Sequence, residues 1–536
     1  MNITEKDNTA GKIAGLSLFA GLMITIAQTV PFIQNASHGN HVFAMIFMIT
    51  IFLGIFVHLF FSKKLNYQST CLWIALFGII NRSFFVLMAD ITSLQNDVGT
   101  YTGYGTDTIN NGHIGYIEYI YKFKALPNMD PYEHFGYFHP PLHHLIEALW
   151  LTLQRAIGIA ENVAFENLQI PTLIYSCLCI AVMYKILTLT NLSKKYYAAG
   201  LLIFALHPRM LVAAGAVNND ALALLFLMCT IWRMMEWLKD KTFKNIILIA
   251  LSLGFGMITK LNVAICAFSI AVLYLSCFIK SIKTGNLVIT KKLFLQYVVF
   301  GIICIPIGLS YIVRNLILFG EKPGIPAPSI PYSDSYMYTG SYSLWSYIGF
   351  PLDWNYVWPF HGASAAYEHN AWIILFKTSL FAEVFPAGLD DYVLSIAQIA
   401  YFGAIVAGIV LGIFAICYMV YQLIKKTENS PINTVHGCLS ESDCINVHSE
   451  INLFMLLTFV FMLLSYIMFV IKYPFTCSCD FRYMVACLVF TSIAFAQMQT
   501  ALKNRAAGRI VLFITNFALA CALLGSNLVF LFWNVV

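Results

Sequence analysis

The sequence predicts an all-α polytopic membrane protein, a bundle of about 13 transmembrane helices with long outer loops. Three observations predict it. Apolar residues make up 59% of the 536 residues and charged residues only 11%, against about 25% charged in a soluble domain. The apolar residues gather in runs close to the roughly 20 that cross a hydrocarbon core. Lysines and arginines cluster between alternate runs, as in loops held on the cytoplasmic side.

In order, the expected spans are 13–34, 42–61, 71–93, 169–190, 197–215, 221–238, 245–259, 262–279, 293–318, 396–424, 451–472, 481–499 and 510–533. No small-residue cleavage site follows the first run, so it reads as a helix and not a removed leader. The short pair 245–259 and 262–279 reads as a tight hairpin. Six basic clusters set the orientation: Lys63-Lys64, Lys194-Lys195, Lys239/Lys241/Lys244, Lys280/Lys283/Lys291/Lys292, Lys425-Lys426 and Lys503/Arg505/Arg509. Setting all six inside gives a consistent alternation, with the N-terminus in and the C-terminus out. Residues 142–158 are also apolar, but counting them as a span would push every later cluster outside. They read instead as a helix lying along the outer surface, or re-entering where its backbone is buried in protein.

The net charge of +5 is small and scattered, which excludes a nucleic-acid platform, since that needs basic residues clustered on one face. Most of the 14 cysteines lie in apolar runs (Cys71, Cys177, Cys229, Cys266, Cys304, Cys521) and read as small core residues. Cys477 and Cys479, one residue apart, are poorly spaced for a bridge.

Two outer loops are long: 94–141, extended to 168 by the surface helix, and 319–395. Loops of such length are usually functional or disordered; the tryptophans at 345, 354, 358 and 372 argue against disorder. The inner loop 427–450 is polar and carries no evident chemistry. The first outer loop opens with Asn96-Asp97-Val98-Gly99 and closes with Phe138-His139-Pro140-Pro141-Leu142-His143-His144. Asp97, just outside the bilayer, is either a partly desolvated proton acceptor or a helix-end carboxylate in water. Asp220, in Asn218-Asn219-Asp220, falls on the same surface as a second site carboxylate or as an N-cap. Lys260 sits at the outer hairpin tip, against the charge bias, where it either snorkels or binds phosphate. Arg314, Lys377, Lys472 and Arg482 occur singly near span ends, as interfacial anchors or, together, as a clamp for an anionic head group. Arg82 lies mid-span and calls for a structural partner, a carbonyl or Asp90.

In these features the sequence resembles the GT-C superfamily of integral-membrane glycosyltransferases, in particular the protein O-mannosyltransferase and lipid A aminoarabinose transferase branch. The matches run in order: Asp97 after a span, Phe138-His139-Pro140-Pro141-Leu142 leading into an apolar helix, and Asp220 in Val217-Asn218-Asn219-Asp220-Ala221. Then come Gly256-Met257-Ile258-Thr259-Lys260 and the pair Arg482-Tyr483. The resemblance covers roughly residues 70 to 500. The first acidic loop here follows the third span, where the family usually places it after the first. Residues 1–66 therefore look like an extra N-terminal transmembrane hairpin, 67–318 like the catalytic module, 319–395 like an outer loop covering the site, and 396–536 like C-terminal transmembrane helices.

The resemblance implies transfer of a sugar from a polyprenyl-phosphate or diphosphate donor to a glycan, lipid or protein acceptor at the outer face of a bacterial cytoplasmic membrane. Asp97 would be the general base and Asp220 its partner. Lys260, Arg314, Arg482 and Tyr483, with His139, His143 and Lys377, would hold the lipid phosphate. No cofactor is implied with certainty: Asp97, Asp220, His139, His143 and His144 are possible divalent-metal ligands without diagnostic spacing, and metal-independent chemistry is the default. The alternative is a membrane transporter or lipid flippase. Such proteins place ionisable residues and internal repeats around the midplane, whereas the candidates here collect at one face.

Overall fold

A computed structural model of the chain describes residues 7–92, 110–320, 338–349, 369–382, 391–424 and 441–532. Among them secondary structure is helical, apart from an isolated antiparallel bridge between Tyr338 and Phe475. Ten helices are long and apolar enough to cross a membrane, or eleven if one bent pair counts as a single span. This is a multi-pass membrane protein.

The helices of at least seven residues are α1 (Thr9–Thr29), α2 (His38–Phe61), α3 (Tyr67–Met88), α4 (Gly112–Phe123), α5 (Leu142–Ala156), α6 (Gln169–Leu189), α7 (Tyr197–Leu206), α8 (Arg209–Gly215) and α9 (Asp220–Lys239). They continue with α10 (Phe243–Met257), α11 (Ile265–Lys283), α12 (Leu287–Phe319), α13 (Ala371–Phe381), α14 (Asp391–Ile424), α15 (Glu441–Lys472), α16 (Cys487–Leu502) and α17 (Ala506–Phe532). Each of the expected spans coincides with helix, but two of them, α10 and α16, have only 15 and 16 residues. The span expected at 481–499 starts later, at Cys487, because Phe481–Tyr483 forms a 3-10 turn.

The core is built on α6, which packs against α1, α8 and α9, while α9 and α12 sandwich α10. In contrast α2 touches mainly α3 and turns Phe43, Phe47, Phe60 and Phe61 outward, apolar surface that a bilayer covers.

The expected span 197–215 is broken. Its two halves, α7 and α8, meet at His207-Pro208 with a bend of 54°, because proline lacks the N–H that would continue the helix and restricts the residue before it. The break strands carbonyls at the end of α7. Arg82, fully buried in α3, supplies donors to two of them, Ala205 at 2.6 Å and Phe204 at 3.3 Å, and also bonds the Ser176 hydroxyl at 3.0 Å. From α6, the hydroxyls of Ser176 and Thr172 donate to Met210 and Ala214 carbonyls in α8, each at 2.9 Å. The mid-span arginine is thus a brace for a helix break, bonded to carbonyls.

Helix α5 is the segment 142–158 that the charge pattern kept out of the membrane-spanning set. At 15 residues it is short for a crossing. It buries His143, His144, Glu147 and Leu151, and it exposes Leu145, Leu149 and Leu153 at four-residue intervals. That pattern suits a helix lying in the membrane interface.

At one end of the bundle, Glu450 of α15 gathers two of the basic clusters, Lys280 at 2.8 Å and Lys241 at 3.7 Å. Because α9 is 20 residues long, about 30 Å, its first residue Asp220 lies at the opposite end. Four of the functional candidates, Asp220, Lys260, Arg482 and Tyr483, meet there.

Candidate functional site

Asp220 is the first helical residue of α9. The N-cap position is Asn219, so Asp220 is not the cap that its sequence context also allowed. The turn is held from both sides: Asn218 Oδ1 accepts from the Asp220 N–H at 2.9 Å, and buried Asn219 donates to the Thr259 carbonyl at 2.9 Å. A carboxylate in a first helical turn is favoured by the helix dipole. Here it also forms a hydrogen-bonded ion pair with the Lys260 ammonium.

Lys260 stands between α10 and the 3-10 turn Leu261–Ala264. Gly256 permits that tight reversal, since a Cβ on it would fall 2.6 Å from Val263 Cγ1. The Lys260 ammonium lies 5.3 Å from the Tyr483 ring centre, and the Arg482 guanidinium 5.1 Å from the same ring. Asp220, Lys260, Arg482 and Tyr483 therefore form one group. Asp220, Arg482 and Tyr483 border a groove whose remaining walls include Leu224, Leu227, Ile265 and Met462. Its lining thus combines the charges of Asp220 and Arg482 with mostly apolar side chains.

A second, buried pair supports this group. Arg209, which opens α8, bonds Asp480 Oδ1 at 2.9 Å, with 3% and 0% of the side chains exposed. The same oxygen accepts the Arg482 N–H at 2.5 Å, and the preceding N–H, of Phe481, donates to the Thr378 hydroxyl of α13 at 2.8 Å. The turn carrying Arg482 is thus pinned by α8 and α13. Lys377, adjacent to Thr378, is 2% exposed.

The end of the first outer loop packs on the Lys260 turn, where the Leu142 N–H donates to the Ile258 carbonyl at 3.2 Å. His139 stacks on His113 at 4.9 Å, and His113 bonds His144 at 2.9 Å. Burial and then the Lys260 charge push His139 down to about 3, against the pull of Asp220. Burial alone lowers His143 to about 3, again opposed by Asp220. Both rings are neutral at physiological pH. His143 Nδ1 lies 3.9 Å from Glu147 Oε1, both side chains are fully buried, and among the described residues no hydrogen bond reaches the ring nitrogens or the carboxyl oxygens. Burial pushes the Glu147 carboxyl well up.

Other candidates fall elsewhere. Arg314 donates to the Pro127 carbonyl and to Asn315 Oδ1, tying the end of α12 to the first outer loop. Tyr311 reinforces that tie through the Tyr137 carbonyl at 2.8 Å. Lys472 lies beside the ring of its neighbour Tyr473, at 5.1 Å. Asp97, with the 93–109 segment, lies outside the described residues. Cys479 is buried. Among the described residues no three His, Cys, Asp or Glu side chains are grouped to hold a metal ion.

Sequence reasoning missed Arg209 and Asp480. The signal for Arg209 was present, an arginine inside an apolar run, where an ionisable side chain demands a partner. Nothing local marked Asp480.

Residues 139–309 match the family model of dolichyl-phosphate-mannose-protein mannosyltransferases. No curated protein sequence matches the chain. Among solved structures, the chain is similar to the archaeal oligosaccharyltransferase AglB from Archaeoglobus fulgidus, in complex with an inhibitory peptide and a dolichol-phosphate. Identity is 12%, coverage 88% of this chain and 56% of that one, and the TM-score 0.42. The chain thus spans just over half the length of that protein. ArnT from Cupriavidus metallidurans bound to undecaprenyl phosphate is 15% identical, with coverage of 86% and 76% and a TM-score of 0.34. The matched segment contains His139, His143, Asp220 and Lys260, and its family match bears out the resemblance to the GT-C membrane glycosyltransferases.

Proposed function

We propose that the chain is a glycosyltransferase that moves a sugar from a polyprenyl-phosphate or diphosphate donor to an acceptor at the non-cytoplasmic face. The observation that carries this reading is the meeting of Asp220, Lys260, Arg482 and Tyr483 beside a groove whose other lining residues are mostly apolar. A lipid-linked phosphate has the complementary form, an anion joined to a hydrocarbon tail. The family match over residues 139–309 supports the same class.

In the proposed reaction the acceptor hydroxyl oxygen bonds to the anomeric carbon as the bond from that carbon to phosphate oxygen breaks. Asp97 takes the hydroxyl proton, and the polyprenyl phosphate leaves as an anion. Lys260 and Arg482 stabilise that leaving charge, and such preorganised electrostatics often supply the largest part of catalysis. Asp220 holds Lys260 in place and orients the acceptor. His139 and His143, being neutral, contribute hydrogen bonding and shape, and Lys377 stands next to the Thr378 that pins the Arg482 turn. The loop 319–395 covers it. With the basic clusters inside, the N-terminus is cytoplasmic and the C-terminus outside; we assign the protein to a bacterial cytoplasmic membrane.

The test is incubation of purified protein with a panel of radiolabelled polyprenyl-phosphate sugars, following loss of label from the lipid. One donor is expected to be consumed. Asp97→Asn should abolish transfer with membrane insertion intact, and substantial residual turnover by that variant removes Asp97 from the base role.

A further inference from the structure

At the other end of the bundle, α1 and α3 enclose an open groove of about 530 Å³, within the roughly 300–1,000 Å³ range of ligand-binding clefts. Its wall is apolar, formed by Leu72, Trp73 and Leu76, and its polar residues lie at one end, Lys12 in the first turn of α1 and Ser69 in the first turn of α3. From Ser69 to Leu76 the groove descends about 10 Å along the helix. Gly15 leaves its floor open, since a Cβ there would meet nothing within 4 Å.

The surroundings of the mouth are basic. Exposed Lys63 and Lys64 lie in the turn before α3, and the Lys194 ammonium sits 5.5 Å over the ring of Tyr67, which begins α3. Asp7, the carboxylate just before α1, is taken up by the Thr9 N–H at 3.0 Å and the Tyr184 hydroxyl at 2.7 Å. An apolar furrow opening at a cationic rim fits an amphiphile with a negative head.

We propose that the α1–α3 groove binds one anionic diacyl phospholipid of the surrounding leaflet, its phosphate at Lys12 and an acyl chain along Leu72, Trp73 and Leu76. The site is separate from the Asp220–Lys260 group, which lies at the opposite end. On the proposed orientation it faces the cytoplasmic leaflet, whose surface is negative. Binding of the lipid depends on neither that orientation nor transferase activity, so failure of one reading leaves the other standing.

The experiment is native mass spectrometry of the full chain in detergent, titrated with phosphatidylglycerol, phosphatidylethanolamine or polyprenyl phosphate. One phosphatidylglycerol should be retained at least about fivefold more tightly than phosphatidylethanolamine, the effect of one lysine near a membrane surface. Lys12→Gln should erase that preference while leaving weak binding of both lipids. Gly15→Leu, which fills open space, should lower retention of either lipid with no loss of melting temperature. Equal retention of the two phospholipids by the wild type, sole retention of polyprenyl phosphate, or unchanged preference in Lys12→Gln would overturn the proposal. Should Gly15→Leu fold poorly, the Lys12 variant alone decides.

Discussion

Arg209 and Asp480 meet at 2.9 Å with both side chains buried, joining the broken span in the first half of the chain to the turn that carries Arg482 in the second. Removing one member of a buried pair leaves an uncompensated charge, at a cost of about 3–5 kcal/mol. Asp480→Asn should therefore lower thermal stability in detergent by that order and free the Arg482 turn, weakening lipid-phosphate binding as well. Asp480→Asn with unchanged melting and unchanged binding would remove the pair from both roles.

Lys260 and Asp220 are hydrogen-bonded and only 12% and 14% exposed. Each single neutralisation, Asp220→Asn or Lys260→Met, should destabilise the protein. The double variant should lose less than the sum of the two, with a coupling of about 0.5–3 kcal/mol. Melting curves of the four proteins measure it, and additive losses would mean that the pair is not coupled.

Arg82 bonds the Ala205 and Phe204 carbonyls and the Ser176 hydroxyl. Arg82→Met keeps the bulk and abandons these acceptors, each unsatisfied buried group costing about 1–3 kcal/mol. Yield of folded protein should fall sharply, and protection of the α7–α8 junction against amide exchange should fall with it. A fully folded Arg82→Met with a protected junction would show that the break needs no brace.

Stability should depend on pH through α5. Burial depresses His143 to about 3 from an ordinary 6.5, so the folded state binds fewer protons than the unfolded chain between those values. The contribution of His143 is complete above pH 6.5 and is lost as pH falls toward 3, with a limiting slope of about 1.4 kcal/mol per pH unit. Glu147 acts in the opposite sense. Its raised carboxyl stays protonated where the unfolded chain ionises, so its contribution is lost as pH rises past the ordinary carboxyl value of 4.5. His143→Leu should flatten the acid limb of a melting-temperature profile, and Glu147→Gln the rise in cost toward neutrality. Profiles parallel to wild type in both variants would show that neither group titrates as its burial requires.

Much of the protein was legible in one dimension. Long apolar runs report helices because a bilayer leaves backbone groups no partner outside the helix itself, and periodic basic clusters give the two ends. Asp220, Lys260 and Arg482 stood out because a charge at the edge of an apolar run demands a reason. Pro208 also stood in plain view, yet its effect, a bend of 54° inside one expected span, depends on whether neighbouring helices satisfy the freed carbonyls. Arg82 and Asn527 do so, at the Ala205, Phe204 and Leu206 carbonyls, and they come from distant stretches.

By itself, then, the sequence determined the solvent, the helices and the end of the bundle where charge collects, because these follow from local composition and from the energy of polar groups in hydrocarbon. Only the tertiary structure decided which charges meet. It set Lys260 on Asp220, Arg209 on Asp480, and Arg314 against the first outer loop instead of that group. Ion pairing depends on separations of a few ångströms, and those are fixed by helix packing between segments that share no local pattern.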